Sequence, residues 1–245
     1  MAVALKVRLK KGGFQGGRGN QGVKPLYGRL LDFLYQTVDC PVCGNQSQGL
    51  CQVCRKDIQV YGPHVFHGMA GSSMFFYKGA AERLIYKFKK DLKFAAFDAL
   101  AALMAEYWAD QLQAGEAADF GAASLRGIDY LLYIPSGKKN LRQRGFDPGR
   151  LLAKEFSKIS GIPLLECTAN HGKGENKTLN YFQRQERSSK NIVIKNGYEE
   201  ILKAKHILIF DDIMTTGASI QSLAGKLNQS GAGSVKFLTV MRSTK

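Results

Sequence analysis

Residues 206–219 read HILIFDDIMTTGAS. A short apolar run, His206 to Phe210, ends in two adjacent carboxylates, Asp211 and Asp212, and a run of hydroxyls around Gly217 follows. The apolar run has the length and β-branched content of a strand buried on both faces. SIQSLAGKLNQSG (219–231) then has helical spacing, and SVKFLTVM (234–241) is a second apolar strand. A strand, a crossover helix and a strand imply a right-handed unit and a parallel pairing. In sheets of that kind ligands sit beyond the carboxyl ends of the strands, which is where the acidic pair is expected. Adjacent carboxylates suit a diol or a hydrated divalent cation, because either supplies donors or positive charge to neutralise them. In the MTTGAS turn, Gly217 is free to take positive φ, and backbone N–H groups can converge at the start of the next helix as a phosphate cradle. Sugar hydroxyls beside a 5′-phosphate satisfy both halves.

Working outward, the same alternation continues. SSMFFY (72–77) reads as a strand that passes through Gly79 into the helix AAERLIYKFKKD (80–91), with Leu84, Ile85 and Phe88 inward and Arg83, Lys87, Lys89 and Lys90 on the other side. A long helix follows from Phe94 to Leu112, whose stripe of Phe97, Leu100, Ala101, Met104, Tyr107 and Trp108 is core. Beyond a Gly/Ala-rich linker at 114–127 come the strand IDYLLYIP (128–135), a helix at Pro148–Ser160, and strands at Ile162–Leu165 and Ile192–Ile194 on either side of a polar, basic loop at 170–191. The expected fold is α/β, a doubly wound and mostly parallel sheet. Ahead of it lie a Gly-rich arm at 1–24 with six Lys/Arg and no acid, and a small module at 25–68 that opens with a short helix from Leu26 to Tyr35. The sheet domain is expected to occupy 69–245.

The module carries CPVCGNQSQGLCQVC, in which Cys40, Cys43, Cys51 and Cys54 form two Cys-x2-Cys knuckles. Four thiolates close a tetrahedral shell and leave no open position, so the expected ion is a structural zinc, ahead of iron. His64 and His67 are surplus to that shell. Cys167 stands apart and reads as a buried thiol. Paired cysteines in a chain without a secretory leader point to a reducing compartment, so the expected location is cytoplasmic.

The chain has 245 residues and a formal net charge of +15, from 35 Lys+Arg against 20 Asp+Glu. Such a balance attracts polyanions: nucleic acid, phosphorylated ligands or anionic lipid. No stretch has the apolar length of a bilayer span, since Asp98, Glu106 and Asp110 interrupt the most hydrophobic helix. The basic residues cluster at 1–24, 83–93, 138–150 and 173–195, with Phe88, Phe146, Tyr181 and Phe182 among them. Backbone neutralisation with base stacking binds single strands without sequence preference, although Phe88 reads better as core.

ILIFDDIMTTGAS resembles the motif of type I phosphoribosyltransferases. The resemblance implies that Asp211 and Asp212 are the catalytic carboxylates and hold the ribose hydroxyls of phosphoribosyl pyrophosphate, and that Thr215, Thr216, Gly217, Ala218 and Ser219 hold its 5′-phosphate, with magnesium as cofactor. The order of features narrows it: a four-cysteine knuckle, YKGAAERLIYKFK, YIPSGKKNLRQRGFDPGRLLAKEF and the acidic-pair motif together resemble ComF-type competence proteins from residue 38 onward. Ser136, Gly137, Lys138 and Lys139 then match a pyrophosphate-binding loop, and Arg142 and Arg144 add phosphate-gripping charge. Lys138, Lys139, Arg142, Arg144, Arg184 and Arg187 become candidate nucleic-acid contacts. The mobile-loop element of the family is matched only approximately, by Leu179, Arg184, Arg187 and Asn191 in KTLNYFQRQERSSKN.

Two functions follow as expectations. By the ComF resemblance the protein helps incoming single-stranded DNA into the cytoplasm during natural transformation, alongside a helicase-like translocase, and carries a sugar-phosphate pocket. The alternative is an active phosphoribosyltransferase that moves a phosphoribosyl group to an acceptor, which no segment of the sequence identifies.

Overall fold

The computed structural model describes residues 39–91, 93–113, 127–171 and 191–244. The arm at 1–24, the helix at 26–35, most of the 114–127 linker and most of the 170–191 loop, with Leu179, Tyr181, Phe182, Arg184 and Arg187, lie outside the described residues.

Five strands form the main sheet, in the order β1 (Val60–Phe66), β2 (Met69–Phe76), β7 (Ser234–Arg242), β6 (His206–Met214), β3 (Tyr130–Tyr133). All neighbours are parallel except β1, which turns back antiparallel onto β2. The architecture is therefore a mostly parallel α/β sheet, as expected. The sheet begins nine residues ahead of Met69, at Val60, because VYGPHVF forms its edge strand. Pro63 is tolerated there because an edge strand leaves half its N–H groups unpaired. A two-stranded ribbon, β4 (Thr168–Asn170) with β5 (Ile192–Ile194), forms a separate sheet tied to β3 through Thr168 Oγ1, which donates to the Tyr133 carbonyl.

Helices cover both faces. After the short α1 (Gln52–Lys56), α2 (Gly79–Asp91), α3 (Phe94–Gln113) and α5 (Pro148–Ser160) bury Leu84, Ile85, Phe88, Leu100, Met104, Leu152 and Phe156 against Leu131, Leu208, Phe210, Leu238 and Val240. Phe156 stacks on Phe210 with centroids 5.4 Å apart. On the opposite face, beyond the one-turn α6 (Glu199–Leu202), α7 (Ala218–Gln229) packs Ile220, Leu223 and Leu227 on Leu132, Ile207, Ile209 and Phe237. Each buried Leu, Ile or Phe contributes roughly 1.5–3 kcal/mol relative to exposure, so these two clusters hold the layers together.

Three local expectations are corrected. Ile162–Leu165 is not a strand but an isolated parallel bridge between Leu131 and Leu164, because Pro163 has no N–H to extend a ladder. Lys138 and Lys139 do not lie in an extended loop. They open a helix, α4 (Lys138–Arg144), capped at its far end by left-handed Gly145. Phe146 does not stand free for base stacking, since it packs 5.8 Å from the fully buried Phe88. Pro148–Ser160 occurs with the expected bounds.

Candidate functional site

Strand β6 runs four residues past Phe210, so the acidic pair lies in its last stretch, short of its end. The side-chain alternation shifts there. Leu208, Phe210 and Ile213 face the α2–α3–α5 layer, whereas Ile209 and Met214 face the α7 layer. Strand β7 shifts at the same level, with Val240 and Met241 both on the first face. Asp211 and Asp212 occupy this irregularity, each partly buried.

The two carboxylates have different partners. Asp212 Oδ2 receives the Lys89 ammonium from α2 at 2.8 Å, with both side chains largely covered, at 14% and 22% exposure. Asp211 accepts the Asp212 N–H on Oδ1 at 2.9 Å. Burial first, and then the charge of Asp212, push its carboxyl well above the usual carboxylate range, against the pull of Lys89. Asp147 adds a smaller push in the same direction.

The turn after β6 is built for a left-handed glycine. Gly217 has φ +70° and caps α7. A Cβ there would lie 2.4 Å from ring atoms of Phe66 and 2.7 Å from Met214 Cε. The N–H of Ala218 points to Thr216 Oγ1 at 3.4 Å, Thr216 is exposed, and Ser219 is partly exposed one residue into the helix. Arg242 Nη1 donates to the Thr215 carbonyl at 2.9 Å, and its guanidinium stands 5.4 Å over the Phe66 ring. The turn therefore rests on a fixed cation and leads into the start of α7, where the helix dipole favours anions.

Strand β3 pairs with β6 at Tyr133 and Phe210, which brings the segment after Pro135 to the same rim. Ser136 is held by Asp147, whose carboxylate accepts its N–H at 3.0 Å and its hydroxyl at 2.9 Å. Asp147 sits at the cap position of α5 without capping it, because Ser136 takes its carboxylate. Gly137 precedes α4, on which Lys138, Lys139 and Arg142 are exposed and Arg144 is partly covered. The rim thus gathers Asp211, Asp212 and the Thr215–Ser219 turn, with the Ser136–Lys139 segment that follows the neighbouring strand. Arg184 and Arg187 lie outside the described residues.

The sequence does not point to Lys89, Arg242 or Asp147 as site residues. Lys89 reads as one of several solvated lysines, and Arg242 lies just past the apolar strand 234–241. Asp147 in GFDPGR does carry a signal, since an acid before a proline marks a helix start.

The four cysteine sulfurs lie within 4.8 Å of one another. A tetrahedral shell with Zn–S bonds of about 2.3 Å has edges of about 3.8 Å, and Cys43 and Cys51 are 3.7 Å apart. The donor set fits a structural zinc. Burial opposes ionisation of Cys40, but N–H groups of Cys51, Cys43 and Val42 outweigh it and bring the thiol down to about 6. Burial and the neighbouring thiols push Cys54 up. The module grips the sheet domain at three points. Arg55 forms a bidentate pair with Glu106 of α3, Asp57 accepts the Ala80 N–H at 2.7 Å, and Lys87 donates to the Val42 carbonyl at 2.8 Å.

No family model matches the chain, and no curated protein matches it. Solved structures do. A hypothetical protein from Neisseria gonorrhoeae with bound ppGpp is 13% identical over 61% of this chain and 70% of that one, with a TM-score of 0.39. Adenine phosphoribosyltransferase from Saccharomyces cerevisiae is 15% identical over 78% of this chain and 87% of that one, with a TM-score of 0.39. Orotate phosphoribosyltransferase from Aeropyrum pernix is 14% identical over 78% and 80%, with a TM-score of 0.35.

Proposed function

We propose that the rim of the sheet binds a phosphorylated pentose of the phosphoribosyl pyrophosphate type. The observation that carries this reading is the pairing of Asp211 and Asp212 with the Gly217 turn at the start of α7. Carboxylates accept from vicinal ribose hydroxyls, while converging N–H groups and the hydroxyls of Thr215, Thr216 and Ser219 donate to a 5′-phosphate. Ser136, Gly137 and the lysines of α4 are suited to the far phosphates. Carboxylates and hydroxyls are the hard oxygen donors that magnesium takes, and bound with the substrate it would supply charge neutralisation at the pyrophosphate.

Set in a ComF-like role, this pocket belongs to a protein that handles incoming single-stranded DNA. Lys138, Lys139 and Arg142, exposed together on α4 beside the rim, support that role, because a single strand presents phosphates and a terminal sugar to the same surface. The second reading is a transferase. An acceptor nucleophile bonds to C1 as the C1–oxygen bond to pyrophosphate breaks, and pyrophosphate leaves with the electron pair. The convergence of the Ser136–Lys139 segment on the acidic pair favours that reading.

Pyrophosphate release from the sugar donor, measured with and without oligonucleotide, separates the two. Release that needs only a small acceptor supports the transferase. Absence of release, with oligonucleotide binding whose affinity falls steeply with salt, supports the DNA-handling role. Neither release nor salt-dependent binding contradicts both.

A further inference from the structure

The pocket already contains a cation of its own. Lys89 Nζ lies 2.8 Å from Asp212 Oδ2, and the two side chains are mostly shielded from water. Shielding strengthens the pair well beyond a surface salt bridge, and also makes it costly to leave either charge alone. Lys89 is not a floating side chain. It projects from the last turn of α2, whose start is pinned by Asp57 through the Ala80 N–H and whose Lys87 is tied to the Val42 carbonyl. The buried Leu84, Ile85 and Phe88 hold the other face of that helix. An ammonium has three donors and no acceptor. With one donor on Asp212, two remain for anions that enter the rim.

Charges at the rim are balanced tightly. Three acids meet there, Asp211, Asp212 and Asp147, and Asp147 is occupied with Ser136. The Asp211 carboxyl favours its proton because of burial and the adjacent Asp212. Asp212 has the lysine. A divalent cation arriving alone must therefore displace the ammonium. A ligand that brings its own phosphates gives the ammonium somewhere to go.

We infer that Lys89 is the exchangeable counter-ion of the acidic pair: it bonds to Asp212 before a sugar phosphate enters and moves to the ligand's phosphate oxygens afterwards, which keeps free divalent cations off the pair. The inference rests on the sugar-phosphate reading for its second half, while its first half, exclusion of the free cation, is independent of any ligand. A lysine suits this task better than an arginine because a compact ammonium on a four-carbon stem can swing between acceptors without a fixed fork geometry.

The test uses the full-length, zinc-loaded protein and two probes, manganese(II) alone followed by electron paramagnetic resonance, and phosphoribosyl pyrophosphate with magnesium followed by calorimetry. Lys89→Met is expected to bind manganese about tenfold more tightly than the native chain and the sugar phosphate about tenfold more weakly. Lys89→Arg is expected to keep manganese off the pair but to recover only part of the sugar-phosphate affinity, because its fork cannot swing between acceptors. Loss of a merely structural ion pair would not produce that split. Adding Asp212→Asn to Lys89→Met abolishes the gain in manganese affinity, and the native melting temperature of Lys89→Arg guards against misfolding. If the native chain binds the sugar phosphate and Lys89→Met binds both probes unchanged, the counter-ion role is overturned and the pocket stands. If the native chain ignores the sugar phosphate while Lys89→Met still gains manganese affinity, the pocket reading fails and the cation-exclusion half stands.

Discussion

Asp57, three residues past the last cysteine of the knuckle, accepts the backbone N–H of Ala80 at 2.7 Å and so caps the helix that carries Lys89. Gly79 makes the approach possible: its φ is +59°, and a Cβ there would lie 2.5 Å from the Asp57 carboxylate. Asp57→Ala is expected to cost about 1 kcal/mol, the usual worth of a helix-capping side chain. Thermal melting should fall by roughly 2–4 °C for a chain of this size. An unchanged melt would mean that α2 is held without its cap.

If the four cysteines hold zinc, as their arrangement fits, its removal should travel along the same contacts. The loops at 40–51 lose their common anchor, and with them the Val42 carbonyl that receives Lys87. Zinc release, followed with a colorimetric chelator, is expected to raise amide exchange over 40–58 and 79–91, while β6 and β7 stay protected. The same pattern is expected in Cys40→Ser. Uniform protection after metal loss would show that the module's contacts with α2 and α3 do not depend on the metal.

At the turn after β6 the glycine and the arginine beneath it do different work. Gly217→Ala places a side chain in a left-handed position and against Phe66 and Met214, so the turn must shift. Loss of both stability and anion binding is expected, on the order of 1–3 kcal/mol for the strained backbone alone. Arg242→Met removes the donor to the Thr215 carbonyl and should weaken phosphate binding by about tenfold with a smaller effect on the melt. Equal affinity of Arg242→Met and the native chain for phosphoribosyl pyrophosphate would remove Arg242 from the account.

Asp211 sets a pH signature. Its folded carboxyl is raised by burial and by Asp212, so the folded protein holds that proton more tightly than the unfolded chain does. The stability linked to it is fully present below the unfolded value of about 3.9 and is lost as pH rises through the raised folded value. Asp211→Asn removes the titration. It should melt several degrees higher than the native chain at neutral pH, with the gap closing as pH falls towards about 4. A constant gap across that range would mean that the carboxylate is not destabilised by its surroundings.

Much of this was legible in the sequence because local patterns agreed with the fold. The apolar run 206–210, the amphipathic 148–160 and the stripe from Phe94 each have one dominant period, and each folds accordingly. Edge strand β1 was hidden by Gly62 and Pro63, which read as a loop until antiparallel pairing with β2 overrides them. The helix at 138–144 was hidden by a run of charges with no polar cap before it. Within the site, the acidic pair and the Gly217 turn are contiguous and visible, whereas Lys89 and Arg242 reach it across the sheet from distant segments. Long-range side-chain contacts of that kind leave no periodicity to read.

The most direct measurement is a calorimetric titration of phosphoribosyl pyrophosphate, with magnesium, into the native protein and into Asp211→Asn/Asp212→Asn. Saturable one-site binding is predicted for the native chain, with a loss of about a hundredfold or more in the double variant. Matching affinities in the two proteins, or no heat from the native one, would contradict a pentose-phosphate pocket at this rim.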